Sequence, residues 1–224
     1  LQDPRRRRVY RSARTLSASA MVFRCTNYGA NPSDATNSDN TSGPGYGLIN
    51  VALDSFAVPA TPLAATGATK PMWLLSNVEA AFLVAEAAAR GWLPGVNDEE
   101  AFKGAVRESF RYLGLSDAQA DEYLDANTVP TPNPRVAYPA GGSLTEKMTA
   151  IAWQKYFALN GMQGNEAWTD WRRFGIVQPP LSIAPERGNN PIPRRLLYPS
   201  GEFSYNDENV PKGVTQFGKV FWDL

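Results

Sequence analysis

The sequence predicts a mainly α-helical protein with long irregular loops and little β structure. Three observations carry this. Apolar residues recur at three- and four-residue steps between Met72 and Phe174, helix-start signals fall in order within that stretch, and proline, glycine and asparagine break the chain on both sides. The 224 residues thus divide into an irregular region over 1–70, a helical core over 71–174 and an irregular C-terminal segment over 175–224.

In the first region, residues 34–47 (DATNSDNTSGPGYG) have the composition of a loop. Asp34, Asn37, Asp39 and Asn40 could ligate a structural Ca²⁺. The loop lacks the glycine and closing glutamate of an EF-hand, so solvated Asx turns are the favoured reading and no cofactor is expected. The run Arg5 to Arg8, with Arg11 and Arg14, is the strongest local charge bias. Arginines paired with carboxylates, or carried on an extended surface strand, are favoured over a nucleic-acid or lipid patch.

The helical pattern begins at Met72, with Trp73, Leu74, Val78, Ala81, Phe82, Ala85 and Ala89 in phase and Gly91 closing the helix after Arg90. Leu75, Leu83 and Val84 extend its apolar surface around most of the circumference, which marks a helix covered on both flanks. Asn97 with Glu100 gives a capping-box-like start to a second helix presenting Phe102, Val106 and Phe110. Ser116 with Gln119 opens a third. Residues 128–142 hold four prolines and are expected to be extended. Ser143 with Glu146 opens a long fourth helix, with Leu144, Met148, Ile151, Ala152 and Leu159 on one face. It ends in Gln-Lys-Tyr-Phe-Ala-Leu, followed by a glycine-containing turn and a last helix carrying Glu-Ala-Trp-x-x-Trp-Arg-Arg. From Ile176 the chain is rich in proline and glycine, and residues 215–224 could supply a short strand.

Composition excludes several functions. Lys+Arg and Asp+Glu are equal at 22 each, which argues against a nucleic-acid partner held by phosphate neutralisation. There is no histidine, which removes Ser-His-Asp and Cys-His nucleophile systems and the commonest metal ligand. The single cysteine, Cys25, forms no intrachain disulfide and follows Val-Phe-Arg rather than small residues, so it reads as a structural thiol. No run approaches the roughly 20 apolar residues of a membrane helix. The chain opens Leu-Gln-Asp-Pro with neither an initiator Met nor a signal sequence, and is expected to be a processed chain or a fragment.

Glu79 and Glu86 stand seven residues apart on one helix face, about 10 Å along the axis. That is too far for a retaining glycosidase pair and beyond the inverting range. Carboxylates in an apolar helix are usually paired, and Lys155, Arg172 and Arg173 are the available partners, so structural ion pairs are expected. Trp73, Trp153, Trp168 and Trp171 follow core periodicity. Tyr28, Tyr46 and Tyr138 lie in polar loops and are the better ligand-contact candidates.

Five segments in order carry a family resemblance: Asp3-Pro4-Arg5; Glu79 to Ala87 followed by Arg90-Gly91-Trp92; the paired helices of residues 144–174; Ile192 to Glu202 followed by Asn206 and Asn209; and the closing Val220-Phe221-Trp222-Asp223. Together they resemble the C-terminal portion of the SusD/RagB family, most closely its second subfamily. The resemblance implies a tetratricopeptide-like helical fold, with 1–224 forming the C-terminal portion of a single SusD-like domain. It implies a lipid anchor upstream of this chain, an outer-membrane, cell-surface location, and non-catalytic binding of oligosaccharide or another oligomeric nutrient. Its implied partners are a SusC-like TonB-dependent transporter and the N-terminal half of the same protein. Upstream helix pairs would then cover the remaining apolar side of the first helix. A glycoside hydrolase lacks a well-spaced carboxylate pair here; a tetratricopeptide-type protein-interaction scaffold accounts for the helices without a glycan.

Overall fold

The computed structural model describes residues 3–10 and 74–223, which form α1 (Arg6–Val9), α2 (Asn77–Ala89), α3 (Asp98–Tyr112), α4 (Asp117–Ala126), α5 (Leu144–Leu159), α6 (Gly164–Phe174) and α7 (Ser200–Tyr205). The expected mainly helical architecture is borne out. Trp73, Tyr28, Tyr46, Cys25 and the cluster of residues 34–47 lie outside the described residues.

Local chemistry sets the helix ends. Ser116 with Gln119 and Ser143 with Glu146 form complete capping boxes at α4 and α5. At α3, Asn97 accepts the Glu100 N–H at 2.9 Å, while the Glu100 carboxylate turns to Lys103 and Arg107. α2 starts later than its apolar pattern, because the Ser76 hydroxyl accepts the Glu79 N–H at 3.1 Å and so fixes the cap there. Leu74 and Leu75 therefore precede the helix, 90% and 61% exposed. Gly91 and Gly175, at φ +74° and +68°, end α2 and α6 in the left-handed region that a side chain disfavours.

α2 packs on α3, α3 on α4, and α5 lies across α2 and α3 with α6 against its other side. The core is built from Val78, Phe82 and Ala85, from Phe102, Val106 and Phe110, from Tyr123 and Leu124, and from Met148, Ile151 and Ala158. Leu144, expected on the buried face of α5, lies in the first turn and is 44% exposed.

Three expectations are corrected. Residues 128–142 fold into turns instead of an extended run: the Asn133 carbonyl accepts the N–H groups of Val136 and Ala137, its side chain accepts that of Arg135, and Val136 is driven into the core. No strand forms among the described residues of the C-terminal segment. The N–H groups of Arg194 and Arg195 share one acceptor, the Gln216 carbonyl, and Pro191 and Pro193 remove donors a ladder would need. Finally, the arginine run is not an extended surface strand: Arg6–Val9 is helical, and Arg5 pairs with a carboxylate as expected, but inside the protein. Arg5 is 2% exposed, with its guanidinium bonded to Asp3, Ser109 and Gln154 and lying over the rings of Phe110 and Tyr123. One arginine thus ties the N-terminal segment to α3, α4 and α5.

Candidate functional site

Three arrangements surround the C-terminal half of α5. The first is a buried chain of charges joining α2, α5 and α6. Glu86 is clasped by Arg173 through both carboxylate oxygens, at 2.6 and 2.9 Å, and by Arg90 at 2.9 Å. Arg173 also reaches Asp170 at 2.9 Å. Asp170 meets Lys155 at 2.8 Å, and Lys155 stands 3.8 Å from Glu79. Burial pushes the Glu86 carboxyl up, but hydrogen bonds and charge from Arg173, then Arg90, outweigh it and hold it below the usual range. Burial also raises Glu79, and there Glu166 and Asp170 add to the rise, against a single Lys155 charge. The two glutamates face opposite electrostatic surroundings and are separated by bound cations, an arrangement that braces three helices. Arg172 takes no part in it.

Arg172 belongs to the second arrangement. Its guanidinium lies between the rings of Trp168 and Trp222, 4.1 and 4.2 Å from their centroids, and its Nε is 3.6 Å from Asp223. Asp223, fully buried at its side chain, is also paired with Arg194, which in turn lies over Trp171. The aromatic-Asp ending of the chain is thereby latched onto α6.

The third arrangement is a pair of hollows that meet at Asn160. On one side an open groove of about 660 Å³ runs between α5, α6 and the proline-rich segment, lined by Tyr156, Leu159, Trp168, Leu181, Ile192 and Pro193 among others. Trp168 is held at its wall by donating its indole N–H to the Pro193 carbonyl at 2.8 Å. On the other side a cleft of about 300 Å³ is bounded by the N-terminal segment, Arg135, Trp153 and Phe157. A largely apolar, aromatic-lined hollow of this size with a few polar groups suits a small organic ligand.

Of the sequence-derived ligand candidates, Tyr138 lines neither hollow. Its ring stacks on Phe102 at 4.9 Å and its hydroxyl donates to Asp98 at 2.9 Å, beside Lys147 at 2.6 Å from the same oxygen. That contact docks the 128–142 turns onto the start of α3, and burial with the Asp98 charge raises the phenol's pKa. Tyr28 and Tyr46 fall outside the described residues. Among the tryptophans, Trp171 is buried, whereas Trp153 and Trp168 are half-exposed at the hollows. Sequence reasoning missed Arg135, Asn160 and Asp223. Only Asp223, in the closing aromatic motif, carried a signal. No cluster of metal-ligating side chains forms among the described residues, and no helix there is long and apolar enough to cross a membrane.

Helix pairs packed side by side, braced by an ion-pair network and bearing open aromatic hollows, define a helical-scaffold class of protein. Within it, the family model of SusD-like proteins described as "Starch-binding associating with outer membrane" matches residues 1–199, and the chain belongs to that family. No curated protein sequence matches it. Solved structures share the fold. A chitin-binding protein is 23% identical with a TM-score of 0.70, covering 99% of this chain and 47% of its own. A SusD homologue from Bacteroides thetaiotaomicron VPI-5482 is 22% identical with a TM-score of 0.69, covering 99% and 49%. A SusD homologue from Bacteroides fragilis NCTC 9343 is 21% identical with a TM-score of 0.61, covering 92% and 43%. The chain therefore spans about half the length of these relatives.

Proposed function

We propose that this chain is the C-terminal portion of a single SusD-like domain that binds oligosaccharide without cleaving it, at the outer face of an outer membrane, and hands it to a TonB-dependent transporter. The observation that carries the reading is the open groove beside Trp168, found in a chain whose family is described as starch-binding. Aromatic and proline faces along such a groove match the apolar C–H faces of sugar rings, and few charged groups need to be desolvated. The chitin-binding neighbour of the same fold supports the ligand class. Non-catalysis is supported by Glu79 and Glu86 being placed among cations that brace helices, away from both hollows.

The test is a titration of the full chain with malto-, chito- and xylo-oligosaccharides, with reducing sugar followed in parallel. Saturable binding without sugar release is expected. Leu181→Arg, which places a charge in the groove at a 40% exposed position, should weaken it at least tenfold without shifting the melting temperature. Release of reducing sugar would overturn the binding-protein reading. Absence of any interaction would favour a protein-interaction scaffold.

A further inference from the structure

We infer that Trp168 is the ring on which the groove's oligosaccharide stacks, and that Arg172 and Trp222 are positioning residues for it, so that ligand binding is coupled to the docking of residues 220–223. The inference rests on the glycan-binding reading and adds the residue that makes the contact and those that hold it. The Trp168 ring is restrained on two sides. Its edge donates the indole N–H to the Pro193 carbonyl at 2.8 Å, and one face is covered by the Arg172 guanidinium, 4.1 Å from the centroid. Arg172 is buried and does not line the groove, whereas Trp168 does. The covered face is therefore turned into the protein, and the opposite one is left for the groove. A bare indole face fits the apolar C–H face of a sugar ring.

Both restraints lead to a single carboxylate. Arg172 is sandwiched between Trp168 and Trp222, whose centroid is 4.2 Å away, and its Nε stands 3.6 Å from Asp223. Pro193, which holds the ring edge, precedes Arg194, and Arg194 is paired with the same Asp223 and lies over Trp171. The Asp223 side chain is fully buried. Residues 220–223 thus back the ring that the groove presents. This matters to a ligand because an indole free to change rotamer loses that freedom on binding, while a ring fixed at edge and face does not. The coupling is reciprocal: a segment that holds the ring for the ligand is itself held more firmly once the ligand is bound. A latch serving only to fasten residues 220–223 would not need a ring that also lines a groove of about 660 Å³.

The experiment titrates maltohexaose and chitohexaose into the full chain and its variants, and follows amide hydrogen exchange over residues 206–223 with and without the oligomer. Trp168→Ala should weaken binding about tenfold or more. Trp222→Leu, at an exposed position, should weaken it about fivefold, and Trp222→Phe, which keeps a ring over Arg172, should restore most of that loss. Arg172→Lys keeps a charge for Asp223 but loses the flat group between the rings, and should bind as weakly as Trp222→Leu. Bound oligomer should slow exchange over residues 206–223 in the parent, and at equal occupancy should not do so in Trp222→Leu. Parent-like affinity in Trp168→Ala, or in both Trp222→Leu and Arg172→Lys, overturns this inference alone, as does exchange that the bound oligomer leaves unaltered in the parent. Failure of both oligomers to bind the parent overturns the glycan-binding reading and this inference with it.

Discussion

At the scale of single residues, Glu79 and Glu86 show how one helix face can hold two carboxylates with opposite behaviour. Glu86 has three short contacts from two guanidiniums, whereas Glu79 has one ammonium at 3.8 Å and two acids nearby. Glu86→Ala would leave Arg173 facing a partly buried gap with only Asp170 for a partner. The loss should be about 3 kcal/mol, the low end for breaking a buried pair, or a melting temperature lower by roughly 6–12 °C. Glu79→Gln removes a charge that its site disfavours, so a loss below about 1 kcal/mol is expected. Similar losses for the two variants would refute the distinction. The pH dependence follows with opposite signs. A carboxyl held low in the folded state contributes stability that is present above its unfolded pKa of about 4.3 and is lost as pH falls through the folded value. A carboxyl held high costs stability as pH rises above that same point. In melts between pH 3 and 7, Glu86→Ala should therefore show a shallower acid decline than the parent, and Glu79→Gln a steeper one.

At the scale of elements, what was legible in the sequence was what is local. Asn97, Ser116 and Ser143 are recognised by a partner three residues on, and all three cap helices. The start of α2 was misplaced because an apolar run continues upstream of its cap through Leu74 and Leu75. Arg5 was illegible for the opposite reason: its partners Ser109 and Gln154 lie 104 and 149 residues away, and a run of arginines looks the same whether one of them is buried or none. The pairing of the two α2 glutamates with Lys155 and Arg173 could be anticipated from apolar context, while the diversion of Arg172 to the chain's end could not. That diversion has a consequence for the C-terminal element. With Asp223 replaced by Ala, Arg172 and Arg194 lose their common carboxylate, and the last residues keep the stacking of Arg172 on Trp168 and Trp222. Amide hydrogen exchange over residues 206–223 should rise about tenfold, with protection in α2 to α5 unchanged. Unaltered exchange in the tail would mean that the ring stacking alone is sufficient.

At the scale of the whole molecule, α2 is an apolar helix with one flank left exposed. Val78, Phe82 and Ala85 are fully buried against α3 and α5, yet Leu83 and Val84 on its other side are 41% and 47% exposed. A helix apolar around most of its circumference gains its stability by being covered on both flanks. An uncovered stripe beside the exposed Leu74 and Leu75 is a surface for self-association. The solved relatives are about twice as long as this chain. If residues 1–224 are the C-terminal portion of such a domain, the covering partner is a helix pair from its remaining part. Produced alone, the 224 residues should associate in a concentration-dependent way. The double variant Leu83→Gln, Val84→Lys should shift them towards monomer in sedimentation velocity without loss of helical circular dichroism, because neither side chain contributes to the buried core. The same variant in a chain extended to the relatives' length should do the reverse and lower the melting temperature, since it would place polar groups in a buried contact. A parent chain that is monodisperse and melts cooperatively on its own would count against a missing cover and towards a self-contained helical scaffold.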